Sequence, residues 1–150
     1  MPKKPVPPLE EHLPDDDHAA RYIDFAHLDT ANGGRIMSTA FQPRPQDHNR
    51  LSVSWIEPEP GNALTDKILN TKSRMKDYIK PYNPNGKISA VNVRRVKLIE
   101  CKSNQIQVRQ ARTRRNNNHS VIVCQPNEAD ILDVTEDLAI LADDSLCIAS

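Results

Sequence analysis

Aromatic residues are scarce in this 150-residue chain: only Tyr22, Phe25, Phe41, Trp55, Tyr78 and Tyr82 carry a ring. None follows Tyr82, so the C-terminal half lacks the interleaved rings on which sequence-specific single-strand RNA modules stack bases. That argues against an RNA-recognition or OB-type surface there and leaves backbone contacts to duplex or structured RNA. Glycine is rarer still, at four residues, too few for elaborate catalytic loops. The one Gly-Gly pair, Gly33-Gly34, is not followed by the Lys-Ser/Thr of a phosphate loop, and neither His-Glu-x-x-His nor Gly-x-Ser-x-Gly occurs. The three cysteines, Cys101, Cys124 and Cys147, are odd in number and widely spaced, which fits reduced thiols better than a zinc site or a disulfide framework. No window approaches the roughly 18 apolar residues of a membrane span. Lys3-Lys4 leads into Pro-Val-Pro-Pro rather than into the apolar run of a signal peptide. A cytoplasmic protein with no membrane, metal or cofactor is expected.

What the chain has instead is charge polarity. Nine lysines and arginines against one acid, Glu100, lie between Lys87 and Arg115, while seven acids and no lysine or arginine lie from Val121 onward. The formal net charge of zero conceals these two blocks. A basic block attracts phosphates or an acidic partner, and an acidic block in the same chain competes for the same surface.

An apolar share of 37% is low for one domain of this length and implies that part of the chain is unpacked. Met1–Asp17 holds five prolines, five acids and two lysines around Val6, Leu9 and Leu13, the composition of a disordered arm. Residues 18–150 are then a single domain. His18–Phe25 and Arg35–Phe41 are predicted strands, separated by a turn at Asn32-Gly33-Gly34. Leu51–Ile56 alternates apolar and small polar residues, the period of a half-buried strand. From Asn62 to Lys80, Leu64, Ile68, Met75, Tyr78 and Ile79 recur at helical spacing until Pro81 ends the run.

Ile88–Thr113 reads as a basic β-hairpin turning on Lys102, with Val96 opposite Val108 and Leu98 opposite Ile106. Val91 and Val93 are out of phase with Val96 and Leu98, which asks for a bulge near Arg94-Arg95. His119–Cys124 is a nearly continuous apolar strand and so central. Asn127 is the predicted N-cap of a last, acidic helix whose stripe is Ile131, Val134, Leu138 and Leu141. The apolar tail Leu146–Ser150 adds either an edge strand or a contact with a second subunit. The class is α+β: a small antiparallel sheet with a basic hairpin and two helices, behind a Pro-rich arm.

Three sets of residues are candidates for chemistry. Arg95, Lys97, Arg109, Arg112, Arg114 and Arg115 form the expected anion or nucleic-acid surface, because arginine's forked donors match phosphate; otherwise they are a solvated sheet face balanced by the acidic helix. Asn116–Asn118 would add uncharged donors beside them. His119, following that loop, suits an acid/base role with Arg112, Arg114 or Arg115 holding a phosphate; otherwise it satisfies a local hydrogen bond at a strand end. Arg21, His27, Asp29, Arg35 and Ser38 form a weaker third set.

Ala40-Phe41, then Leu51-Ser-Val53, then a late strand led by His119 with Val121 and Val123, resemble a pattern in small uncharacterised bacterial proteins. The likeness spans Arg35 to Cys124; the basic hairpin and the Pro-rich arm depart from it. It implies one compact domain of bacterial or phage origin and carries no activity with it. The leading expectation is a non-enzymatic module that binds an acidic partner, nucleic acid or protein, through the basic hairpin and loop. The alternatives are a small phosphoester-processing or nucleotide-transferring enzyme using His119, and a structural accessory protein that oligomerises through Leu146–Ser150.

Overall fold

Pro, Gly and Asn clusters punctuate the chain, and the elements fall between them. In the computed structural model, residues 8–44, 47–102, 104–124, 126–127 and 129–150 are described. β1 (His18–Ile23) is followed by β2 (Leu28–Asp29) and β3 (Arg35–Ile36), which pair with each other. Gly33 and Gly34, with φ of +74° and +75°, make the left-handed turn between them. β4 (Arg50–Trp55), α1 (Leu64–Tyr78), β5 (Lys87–Asn92) and α2 (Val93–Lys97) come next, then β6 (Gln107–Gln110), β7 (His119–Val123), α3 (Ile131–Asp143) and β8 (Leu146–Ala149).

The α+β class is as expected. Six strands form one sheet in the order β6-β7-β4-β1-β5-β8, every neighbouring pair antiparallel. One face buries Ala19, Ile23, Leu51, Val53, Val91, Val108 and Ile122 beneath α2, α3 and the 3-10 turn Ser38–Phe41. Three of the four stripe residues of α3, Val134, Leu138 and Leu141, are buried there, and Ile131 at its first position is half-buried. The other face buries Ala20, Ile56, Ile88 and Ala90 against Ile68 and Met75 of α1. Each valine, leucine, isoleucine or methionine side chain so enclosed contributes about 1.5–3 kcal/mol, so helices on both faces help to offset the ordering of the sheet.

The basic hairpin does not form. Val93–Lys97 is helix, and Asn92 starts it by accepting a hydrogen bond from the Arg95 N–H at 3.1 Å. Val93 and Val96, three apart, share one helical face and are buried, whereas Leu98 is 75% exposed and faces no partner across a turn. The phase break in the sequence therefore marks a change of period from strand to helix rather than a bulge. β5 pairs instead with β1 and β8, and β6 with β7. Arg35–Phe41 likewise divides: the strand stops at Ile36, and Ser38–Phe41 winds into a 3-10 turn that buries Ala40 and Phe41.

The arm needs a second correction. Met1–Pro7 lies outside the described residues, but Pro8–Asp17 is docked along β6, not disordered. Glu10 N–H donates to Gln110 O (2.7 Å), Gln110 N–H to Glu11 O (2.8 Å) and Leu13 N–H to Val108 O (3.0 Å). The physical reason is the open edge of β6, whose backbone groups need partners; the segment supplies them and buries Leu13. Its acids complete the attachment. Glu10 pairs with Arg112 at 2.6 Å, Asp15 with Lys97 at 2.7 Å, and Asp16 with Arg94 at 3.1 Å.

α3 starts at Ile131, later than predicted; Asn127 Oδ1 accepts from the Ala129 and Asp130 N–H groups in a turn ahead of the helix. Leu146–Ser150 supplies β8, an edge strand, and Ser150 is tied to Asn83 and Gly86. Gly86 sits where a Cβ would lie 2.2 Å from the Ile23 carbonyl, so only glycine fits at the start of β5. Among the described residues the three cysteines form no disulfide, and burial pushes the Cys124 thiol up to about 12. Among the described residues no helix is long and apolar enough to cross a membrane, and no group of three His, Cys, Asp or Glu side chains could hold a metal ion.

Candidate anion-binding cleft

The centre of the sheet is split. β1 and β4 pair only at Ala19–Trp55 and Ala20–Ser54. Beyond them β1 continues along β5 as far as the Ile23–Lys87 pair, while β4 continues along β7 to the Arg50–Val123 pair. Strands that part inside a sheet leave backbone carbonyls unpaired, and Arg21 meets that need. Its guanidinium donates to Ser52 O at 2.7 Å and to Ala40 O at 2.8 Å, and lies 5.7 Å from the centre of the Phe41 ring. Among the described residues it forms no ion pair with a carboxylate, and its Nε is buried without a hydrogen-bond partner. Burial, with a smaller push from Arg44, lowers its pKa to about 10, against an opposing pull from Asp47. Arg21 therefore stays charged at neutral pH, and the floor of the split is cationic.

Above that floor opens a cleft of about 1220 Å³. Five arginines line it (Arg21, Arg44, Arg50, Arg114 and Arg115) against two acids, Asp24 and Asp47. Both acids are engaged locally. Asp47 pairs with Arg44, with a shortest contact of 2.5 Å, and Asp24 accepts from the Tyr22 hydroxyl and the Ala26 N–H. The turn before β4 is held by Asp47 and Asn49 N–H groups on the Arg44 carbonyl. It places His48 and Asn49 at φ of 54° and 57°, a left-handed conformation costing about 1–2 kcal/mol per non-glycine residue. The turn keeps Arg44 and Arg50 at one rim.

The opposite rim is the loop after β6. Sequence suggests that Asn116–Asn118 offers donors to a ligand, but Asn116 and Asn118 are buried and serve the fold. Asn116 Nδ2 reaches Tyr78 Oη (3.1 Å) and Ser54 Oγ (3.3 Å), and its Oδ1 accepts from the Asn118 N–H. Asn118 Nδ2 donates to the buried Glu59 carboxylate at 2.8 Å, which also holds Arg74. The loop is thus pinned from beneath, leaving Arg114 and Arg115 exposed on the cleft side.

His119 lies in the same cleft. In the β4–β7 register it stands opposite Ser54, so Ser52, two residues along on the same face, is its diagonal neighbour. The ring Nδ1 is 2.7 Å from Ala111 O, an acceptor only, so Nδ1 carries the proton. Nε2 then faces the Ser52 hydroxyl at 3.2 Å as an acceptor. Burial lowers the His119 pKa, partly offset by the bond to Ala111, so the ring is neutral at pH 7.

The six expected anion-binding residues do not form one surface. Arg114 and Arg115 line the cleft. Arg109 Nε donates to Glu10 O, and Arg112 and Lys97 are paired with Glu10 and Asp15 of the docked arm. Arg95 is exposed on α2 and makes no ion pair among the described residues. The acids that balance the basic block are thus those of the arm; among the described residues no ion pair joins α3 to it. Of the third set, Arg21 and His27 reach the cleft, and Asp29, Arg35 and Ser38 do not. Sequence reasoning missed Ser52, Arg44 and Arg50. The alternation of Leu51–Ile56 makes Ser52 one of the small polar residues of a half-buried strand, and its meeting with His119 follows from the strand order. Because no family model, curated protein or solved structure matches this chain, the chemistry of this cleft alone supports a functional reading.

Proposed function

We propose that the cleft binds a phosphate-bearing polymer, a single-stranded segment of nucleic acid. The observation that carries this is the set of five arginines facing one cleft, with both aspartates there already bonded within the protein and Arg21 Nε buried without a hydrogen-bond partner. A half-buried guanidinium held by backbone carbonyls favours an incoming anion, and a low-dielectric wall strengthens that attraction. The size supports a polymer: small-ligand pockets run to about 300–1,000 Å³, below the volume here. Tyr22 and Tyr78 line the same space, so rings absent from the C-terminal half are supplied by β1 and α1. The partner class is the one the basic block suggests, but the surface is different: the loop Arg114-Arg115 contributes, and the hairpin face does not.

Fluorescence anisotropy with a labelled single-stranded oligonucleotide tests this. Affinity is expected to fall steeply with salt, and Arg114→Ala/Arg115→Ala to weaken binding about tenfold and flatten the salt slope by about 1.4, the release expected for two phosphates of a single strand. Both side chains are exposed, so the fold tolerates the change. Salt-independent binding, or unchanged affinity in the double variant, rejects the cleft as the nucleic-acid site. Preference for an acidic peptide over the oligonucleotide turns the reading toward a protein partner.

A further inference from the structure

The cleft holds a second kind of chemistry besides its charge. Ser52 is exposed on β4, His119 Nε2 is 3.2 Å from its Oγ, and the other ring nitrogen is fixed by Ala111 O at 2.7 Å. A hydroxyl, a neutral imidazole and an acceptor that orients the ring are the parts of an activated serine, with a backbone carbonyl in the place usually held by a carboxylate. Either sheet register or chance can bring two polar side chains together. Only some such pairs also lie where cations gather, and this one shares its cleft with Arg114 and Arg115.

We propose that Ser52 is a nucleophile, activated by His119, that cleaves a phosphodiester held by the cleft arginines. The inference rests on the cleft binding phosphate. Ser52 Oγ attacks phosphorus as its proton passes to His119 Nε2. The Oγ–P bond forms, the bond from phosphorus to the leaving oxygen breaks, and His119 gives its proton to the departing alkoxide, which leaves as an alcohol. In the second half water attacks the phosphoserine, with His119 taking its proton. The Oγ–P bond breaks, and the proton returns to Ser52 Oγ. One diester and one water give one alcohol and one phosphomonoester, and no oxidant or metal enters the balance. Arg114 and Arg115 carry the non-bridging oxygens as charge builds on them.

Two measurements on the full chain test this. The first is labelling by a fluorophosphonate, whose fluoride leaves when a serine attacks phosphorus, followed by peptide mass spectrometry. Ser52 is expected to carry the label, and His119→Gln to slow labelling by about 10²-fold or more, the usual range for a lost general base. The second is release of nitrophenolate from bis(p-nitrophenyl) phosphate, which Ser52→Ala is expected to abolish while Tm stays that of the wild type, since only a small exposed hydroxyl is lost. Absence of label at Ser52, absence of turnover by the wild type, or turnover that survives Ser52→Ala each overturns the inference. Failure here with oligonucleotide binding intact leaves the binding reading standing. A wild type that neither binds an oligonucleotide nor cleaves the diester loses both.

Discussion

Asn116 shows what one buried amide does for this site. With 1% of its surface exposed, it joins the cleft loop to Ser54 on β4 and Tyr78 on α1, and it caps the turn that leads into His119. Replacing it with alanine takes one hydrogen bond from each of the Ser54 and Tyr78 hydroxyls and removes the side-chain acceptor of the Asn118 N–H. The expected cost is about 1–3 kcal/mol for the buried groups so exposed. Thermal denaturation should register that loss, and oligonucleotide affinity should fall although no charge is removed, because Arg114 and Arg115 lose their support. A variant as stable as the wild type would mean that the amide contributes nothing net. The sequence reading makes Asn116 an uncharged donor beside the arginines. Burial is a tertiary property, and local composition carries no record of it.

At the scale of elements, periodicity was legible wherever one element filled a whole apolar pattern. β1, β4, α1, β7 and the stripe of α3 follow the sequence closely. It failed at α2, where five residues are too few to establish a period of 3.6 and the three-residue spacing of Val93 and Val96 also reads as a bulge in a strand. It failed again at the arm, because β6 offers bonding groups that composition cannot show. The docked arm gives a prediction of its own. Hydrogen bonding from Arg112 holds the Glu10 carboxyl below its usual range, and hydrogen bonding from Lys97 does the same for Asp15. Both carboxyls have lower pKa values folded than unfolded, so their contribution is present at neutral pH. It is lost as the pH falls below the ordinary values of 4.5 and 3.8 and through the depressed ones. Amide hydrogen exchange, corrected for its intrinsic pH dependence, should show residues 8–17 losing protection between pH 6 and pH 3 before the central strands do. Equal protection at both pH values would mean that backbone bonds and Leu13 hold the segment without its acids.

For the whole molecule, the strand order decides what each end of the chain contributes. β8 closes the sheet on the β5 side, with Leu146 and Ile148 packed against the α1 core. Truncation after Asp144 removes both, at about 1–2 kcal/mol each for half-buried aliphatics, and so is expected to lower Tm by about 5–15 °C. An unchanged Tm in differential scanning calorimetry would show that the β5–β8 ladder adds nothing. The candidate site was the least legible part of the sequence. Arg21, Ser52 and His119 are separated by long stretches of chain, and only the pairing of β4 with β7, beside a β1 that diverges, brings them to one place. That divergence has a mechanical meaning. With two residue pairs at its seam, the sheet divides into two three-stranded leaves: β6-β7-β4 carries Ser52 and His119 together, and β1-β5-β8 carries Arg21, whose bond to Ser52 O crosses the gap. On the proposed reading, a change at the seam would alter the grip on an anion, whereas a change within the β4–β7 pair would alter the serine–histidine contact.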